Sequence, residues 1–244
     1  MKFAILSDVH ANAEALKAVL QDSKGQGAEK ILCLGDVVGY GPDAGEAVRV
    51  CQESCDVVLM GNHDAAVAGV ISCGNFRAEA QMGVFRHRHE LSAEDRDWLG
   101  SRPYTCRTKS FVCAHGSPFY PEAFNYVMDE MDAGDAIFAA EGKRLIFVGH
   151  THFSTCWRYD PGKTLSEVAA VDCVLEPKSR LVINVGAVGY PRVEPESVYV
   201  LYDTKTRQIV YRRLPFDFRG YVKRMDEKGI ELPDWLEARW KQFL

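Results

Sequence analysis

Five short stretches hold most of the side chains in this chain that could bind a metal ion or move a proton. They are "SDVHAN" (7–12), "GDVVGYGP" (35–42), "GNHD" (61–64), "HGSP" (115–118) and "GHTH" (149–152). Together they offer Asp8, His10, Asp36, Asn62, His63, Asp64, His115, His150 and His152. Of the seven histidines, only His87 and His89 lie elsewhere. Imidazole, carboxylate and amide oxygen suit Mn, Fe, Zn, Co or Ni, and no cysteine thiolate is offered beside them. Asp8-x-His10 and His150-x-His152 each put two side chains on one face if their backbone is extended. The donors outnumber what one ion needs. Two divalent ions, about 3.5–4 Å apart with one carboxylate bridging them, match the supply better.

Such residues act together only if the chain brings the five stretches to one place. Each follows a short apolar run that reads as a buried strand: "KFAIL" (2–6), "KILCL" (30–34), "DVVLM" (56–60), "SFVCA" (110–114) and "RLIFV" (144–148). Helical periodicity from about Asn12, from about Asp43 and near 129–141 separates several of them. A β-α-β-α-β rhythm implies parallel strands with right-handed crossovers. Ligands of open α/β sheets bind beyond the carboxyl ends of the strands, where all five stretches fall. A more polar helical segment covers about 74–100. Past residue 150 the texture becomes β-rich, with "STCWRY", "RLVIN", "SVYVLYD" and "QIVYRRL", and helical segments at 217–228 and 233–243 follow. The expected fold is α/β, two packed mixed β-sheets flanked by helices. A single domain over 1–244 is expected, with the 74–100 helices as an insertion near the cleft.

Bulk properties exclude several classes. The chain has 244 residues, enough for a sizeable core. With 29 basic and 34 acidic residues, its net charge of −5 argues against non-specific binding of polymeric nucleic acid. No apolar run approaches the roughly 20 residues that span a bilayer. The start shows no signal peptide, so a cytoplasmic location is expected. The eight cysteines form no C-x-x-C pair, and several sit in apolar runs, so reduced thiols are expected.

The order D-x-H, G-D, G-N-H-D, a histidine and G-H-x-H resembles the calcineurin-like metallophosphoesterase superfamily. "GDVVGYGPD" (35–43), "HGSP" (115–118), "NVGAVGYPR" (184–192) and "LPDWLEARW" (232–240) are similar to its bacterial phosphodiesterase branch, which includes diadenosine-tetraphosphatase-like proteins. That resemblance implies a four-layer αββα sandwich. It implies two divalent metal ions, one on Asp8, His10 and His152, the other on Asn62, His115 and His150, bridged by Asp36. It implies that His63 meets the phosphoryl group, that Asp64 orients the His63 ring, and that a metal-bridging hydroxide attacks the ester directly. Departures fall outside these positions. Ala11 stands where glycine is common, and Val185, Ala187 and Tyr190 stand where Pro, Ser and Gln are frequent.

The substrate is expected to be a small phosphate ester or nucleotide. Tyr40 could stack on a base or aryl group, and Arg192 could reach a phosphate. The run Arg86-His87-Arg88-His89 could overhang the cleft or form a solvated helix face. Phe119, Tyr120, Phe124 and Tyr126 could line the pocket or fill the core. Phosphomonoesterase or protein-phosphatase activity remains open, as does a non-catalytic scaffold of the kind found in a retromer subunit. A scaffold would be marked by degraded ligand positions, and these are intact.

Overall fold

A computed structural model gives the arrangement, describing residues 1–192 and 196–241. Among the described residues twelve strands form two mixed sheets of six. The first sheet contains β1 (Lys2–Leu6), β2 (Lys30–Cys33), β3 (Val57–Val58), β9 (Cys173–Val174), β11 (Glu196–Asp203) and β12 (Gln208–Pro215), in the order β3-β2-β1-β11-β12-β9. The second contains β4 (Thr105–Arg107), β5 (Phe111–Ala114), β6 (Leu145–Val148), β7 (Cys156–Tyr159), β8 (Ser166–Val168) and β10 (Arg180–Asn184), in the order β4-β5-β6-β10-β7-β8. Parallel pairing joins β1-β2-β3 and β5-β6-β10, and antiparallel strands complete each sheet.

Alternation along the central strands explains the layering. Ile5 of β1, with Leu145 and Phe147 of β6, fills the space between the sheets. Ala4 and Leu6 of β1 turn outward, under α1 (Ala13–Gly25) and α2 (Ala44–Ser54). Ile146 and Val148 of β6 turn outward beneath α6 (Glu130–Ala139). A strand buried on both faces needs apolar residues at every position, which is why these runs are continuous rather than alternating. Each Ile, Leu, Val or Phe among them contributes about 1.5–3 kcal/mol of burial. The four layers are therefore helices, sheet, sheet and helix.

The sequence-predicted elements recur with shifted edges. The run 56–60 pairs as a strand only at Val57–Val58, because the Met60 N–H leaves the sheet for Pro103 O (2.9 Å). The 74–100 segment is two helices, α4 (Ala78–Glu90) and α5 (Ala93–Gly100), divided where the Ser92 side chain caps α5. The tail forms α7 (Phe218–Glu227) and α8 (Asp234–Trp240), and the predicted continuation to 243 passes outside the described residues. GNHD is not a loop: Gly61 caps α3 (Asn62–Ala68), so Asn62, His63 and Asp64 form its first turn. All eight cysteines are unpaired, with Cys33 and Cys113 inside the core strands. Among the described residues no helix is long and apolar enough to cross a membrane.

Candidate metal centre

The loops after β1, β2, β5 and β6 and the first turn of α3 meet at one end of the sheets. Two close backbone approaches make this possible. A Cβ on Gly61 would lie 2.1 Å from Asp36 Oδ1, and one on Gly149 would lie 2.1 Å from Ser7 Oγ. Both motif glycines exist because another loop occupies the space of a side chain. The backbone is also strained here: Asp8, His10, Ala11, Asp36, Tyr40, His150 and His152 all have positive φ, between 47° and 68°. Such conformations cost non-glycine residues about 1–3 kcal/mol each and persist where surrounding structure enforces them. Ala11 at φ 51° occupies the one ligand-loop position where glycine was noted as common.

One donor group comprises Asp8, His10 and His152. The Nδ1–H of His10 donates to Val38 O (3.1 Å), and that of His152 donates to Tyr190 O (2.7 Å). Each ring therefore presents an unprotonated Nε2, and the two Nε2 atoms lie 3.0 Å apart. Two facing lone pairs make no hydrogen bond. Asp8 Oδ1, buried and without a hydrogen-bond partner among the described residues, lies 3.4 Å from His152 Nε2 and 3.7 Å from His10 Nε2. Its Oδ2 accepts from the His150 N–H (3.0 Å), which fixes the carboxylate.

The second group comprises Asn62, His115 and His150. His115 Nε2 lies 3.2 Å from each of Asn62 Oδ1 and His150 Nδ1. It is also 3.2 Å from Asp36 Oδ2, which in turn lies 3.6 Å from His10 Nε2 in the first group. Asp36 Oδ1 accepts from the His63 N–H (2.8 Å), so Oδ2 alone is directed between the groups. The His150 ring stacks on Tyr126 with centroids 4.0 Å apart. In each of the sets Asp8–His10–His152 and Asp36–His115–His150, the donor atoms lie within 4.8 Å of one another. In the first group an orphaned buried carboxylate oxygen converges with two imidazole lone pairs, and in the second a carboxylate, an amide oxygen and two imidazole nitrogens crowd together, donor sets that fit a cation in each place. These groups could hold metal.

The local fields agree with that fit. Burial pushes His10, His150 and His152 well below the usual imidazole range, favouring the neutral form that ligates. Burial also opposes charge on His115, but Asp36, then Asp8 and Asp64, outweigh it and raise it to about 9. Burial would raise Asp36 too, yet His115 and His63 hold its carboxyl well below the ordinary value. Burial, opposed by His115 and reinforced by Asp36, lifts Asp8 to about 6.

His63 sits at the border of both groups, within the same 4.8 Å reach of His10 and Asp36. Tyr40 and Phe76 pack on its ring, with centroids 4.8 and 5.2 Å away. Its Nδ1 has no hydrogen-bond partner among the described residues and lies against Gly39, where a Cβ would come within 2.3 Å. The orienting bond expected from Asp64 is not made. Asp64 Oδ1 accepts from the Val38 N–H (3.1 Å) and Oδ2 from the Gly61 N–H (3.0 Å), so it fastens the β2 loop to the start of α3. Burial, then the Asp36 charge, raise its pKa to about 7.

A cavity of about 480 Å³ opens over the centre, lined by Asp36, Asn62, His63, Tyr126, His150 and Arg192 among others. Tyr40 lines it too, but one face of its ring is taken by Tyr190, stacked at 4.3 Å. Phe124 borders the same cavity, whereas Tyr120 is exposed and Phe119 packs beside it. The Arg86–His89 run divides in a way the sequence reading missed. His87 is fully buried and clamps the β2 loop, its Nδ1 accepting from the Gly39 N–H and its Nε2–H donating to Gly41 O, both 3.0 Å. Arg86 donates to Tyr40 O and Arg88 to Ala66 O, while His89 is exposed. A signal was available. Ala80, Gly83, Val84 and His87 follow the i, i+3, i+4, i+7 spacing of a buried helix face.

Fold and donor groups together define a metallophosphoesterase-type α/β sandwich. The calcineurin-like phosphoesterase superfamily domain matches residues 1–207, and the chain belongs to that superfamily. It is 32% identical over 243 residues to the uncharacterized protein MJ0912 of Methanocaldococcus jannaschii, covering 97% of this chain and 96% of that one. It is similar to the crystal structure of a metallophosphoesterase from Sphaerobacter thermophilus, with 31% identity, a TM-score of 0.83 and coverage of 100% and 99%. The hypothetical protein PH1004 of Pyrococcus horikoshii shares the fold, with 17% identity, a TM-score of 0.75 and coverage of 98% and 97%.

Proposed function

We propose that this protein is a dinuclear-metal-dependent phosphoesterase that hydrolyses a phosphodiester or nucleotide-type phosphate ester. The observation that carries this reading is Asp36 Oδ2, which lies 3.2 Å from a nitrogen of one donor group and 3.6 Å from a nitrogen of the other. Asp8, His10 and His152 would hold one divalent cation, Asn62, His115 and His150 the other, with Asp36 common to both. Manganese, iron, zinc, nickel and cobalt all suit these donors. When bound, the cations make water acidic enough to attack at neutral pH and neutralise phosphoryl oxygens.

The chain's own residues do the rest. Val38 and Tyr190 carbonyls keep His10 and His152 in the tautomer that ligates through Nε2. With Nδ1 of His63 packed against Gly39, Nε2 is the atom left to give a proton to the leaving oxygen. Arg192, at the rim, orients the substrate's phosphoryl group, and Tyr40 with Tyr190 walls one side of the reacting centre. The partner is thus a small substrate. A cytoplasmic setting accords with it.

Turnover of bis-p-nitrophenyl phosphate and p-nitrophenyl phosphate by protein reconstituted with Mn²⁺ tests the proposal. Hydrolysis that a chelator abolishes supports it, and a higher kcat/KM on the diester supports the diesterase form. Metal-loaded protein inert towards both esters and a wider panel of nucleotides would favour a scaffold.

A further inference from the structure

Beyond the cavity over the metal centre lies a second one of about 510 Å³. Arg77, Tyr126 and Arg192 line both, so the two cavities adjoin. The outer part adds Phe153 from the loop after β6, and Trp235 and Arg239 from α8. None of the described residues lining it is acidic. Three arginines thus line one space in a chain whose net charge is −5.

The residues are held rather than loosely gathered. Arg239 Nη1 donates to Arg192 O (2.5 Å), tying α8 to the segment that carries Arg192. Arg192 Nε is buried and has no hydrogen-bond partner among the described residues, at the junction of the two spaces. A buried donor without an acceptor is destabilising unless a ligand satisfies it. Trp235 is 40% exposed, its Nε1–H directed to Glu79 Oε1 (3.4 Å), which fixes the indole edge and leaves the ring accessible. Guanidinium forks recognise phosphate oxygens, and an exposed indole offers a stacking face for a planar ring.

We infer that the outer chamber receives the far part of the substrate. A second phosphoryl group lies among Arg77, Arg192 and Arg239, and a planar ring packs on Trp235. This rests on the phosphoesterase reading and narrows it to nucleotide-type molecules bearing at least two phosphoryl groups. Simple aryl esters would fill only the inner cavity.

Binding can be read without metal or turnover. Chelator-treated protein is titrated with adenosine 5′-diphosphate, adenosine and inorganic phosphate, following tryptophan emission and, in parallel, heat of binding. The diphosphate should bind saturably and quench emission, with adenosine roughly tenfold weaker or worse, as loss of charge-assisted hydrogen bonds demands. R77Q and R239Q, on different elements, should each weaken the diphosphate roughly tenfold. W235F should remove most of the quench while the heat signal persists. Equal affinity for adenosine and the diphosphate, or wild-type affinity in both arginine variants with native melting temperature, would overturn the assignment. Inorganic phosphate binding as tightly as the diphosphate would also overturn it, reducing the chamber to a simple anion site. Protein that binds the diphosphate this way yet hydrolyses no ester when metal-loaded would refute the phosphoesterase reading alone.

Discussion

His10 and His152 face each other through Nε2 atoms 3.0 Å apart, each ring having its Nδ1–H committed to a backbone carbonyl. The chain folds to bring two lone pairs together, with a buried carboxylate oxygen beside them. Binding a divalent cation should therefore stabilise the fold itself. At a hundredfold excess over Kd the gain is about 2.7 kcal/mol, or roughly 5–10 °C in Tm for a chain of this size. Thermal scans with Mn²⁺, Zn²⁺, Co²⁺ and Ni²⁺ against chelator measure it. An unchanged Tm with every ion would contradict the metal assignment.

Asp36 and His63 should separate metal binding from chemistry. Replacing His63 by alanine leaves both donor groups intact, so metal content by elemental analysis should stay near two ions per chain. Turnover should drop about 10²–10⁴-fold, as for a lost general acid. D36N weakens both positions at once, so metal content and turnover should fall together. Metal loss in H63A equal to that in D36N would make His63 a ligand instead.

Gly61 tests the fit between the β2 loop and α3. Gly61→Ala puts a methyl group 2.1 Å from Asp36 Oδ1 and 2.2 Å from its amide nitrogen. The loops must part, costing about 1–3 kcal/mol and tilting the Asp36 carboxylate. Gly45→Ala, at an exposed position of α2 with nothing closer than Leu91 Cδ2 at 4.0 Å, should instead stabilise by about 0.5–1 kcal/mol. Chemical denaturation of both variants, with metal titration, checks the contrast.

His87 makes a pH prediction. Burial, opposed by the Gly41 carbonyl, lowers its pKa from 6.5 to about 3. A base depressed in the folded state binds more protons when unfolded. Its clamp is therefore at full strength above pH 6.5, and stability drains as pH falls from 6.5 towards 3. H87A should be destabilised by about 1–3 kcal/mol at pH 7.5, with a smaller deficit at pH 4.5. A deficit independent of pH, by denaturant unfolding, would count against the clamp.

The metal donors were legible because their chemistry is local. An aspartate or histidine directly after a buried apolar run announces its position, and the five runs recur within a residue or two of expectation. What escaped notice depends on residues distant in sequence. His87 closes on Gly39 and Gly41, 46–48 residues earlier, in a sequence of arginines and histidines that reads as solvated. The resemblance assigns Asp64 to the adjacent ring, whereas its partners are the amides of Val38 and Gly61. The tail was read as helical, but nothing in "LPDWLEARW" tells that Trp240 packs on Tyr190, whose carbonyl holds His152. Apolar contact has no directional code in sequence, so such support becomes visible only in three dimensions.

Strand β1 lies between β2, about 28 residues on, and β11, nearly 200 residues on. Its loop supplies Asp8 and His10, whose counterpart His152 is 142 residues from His10. While the chain emerges from a ribosome, β1 can pair on one edge early, yet its other edge stays open until residue 203 has been made. A bare strand edge invites association with other chains, and contacts of such sequence separation form slowly. The donor cluster is thus a late product of synthesis, and cations added to truncated nascent chains should find only half of it.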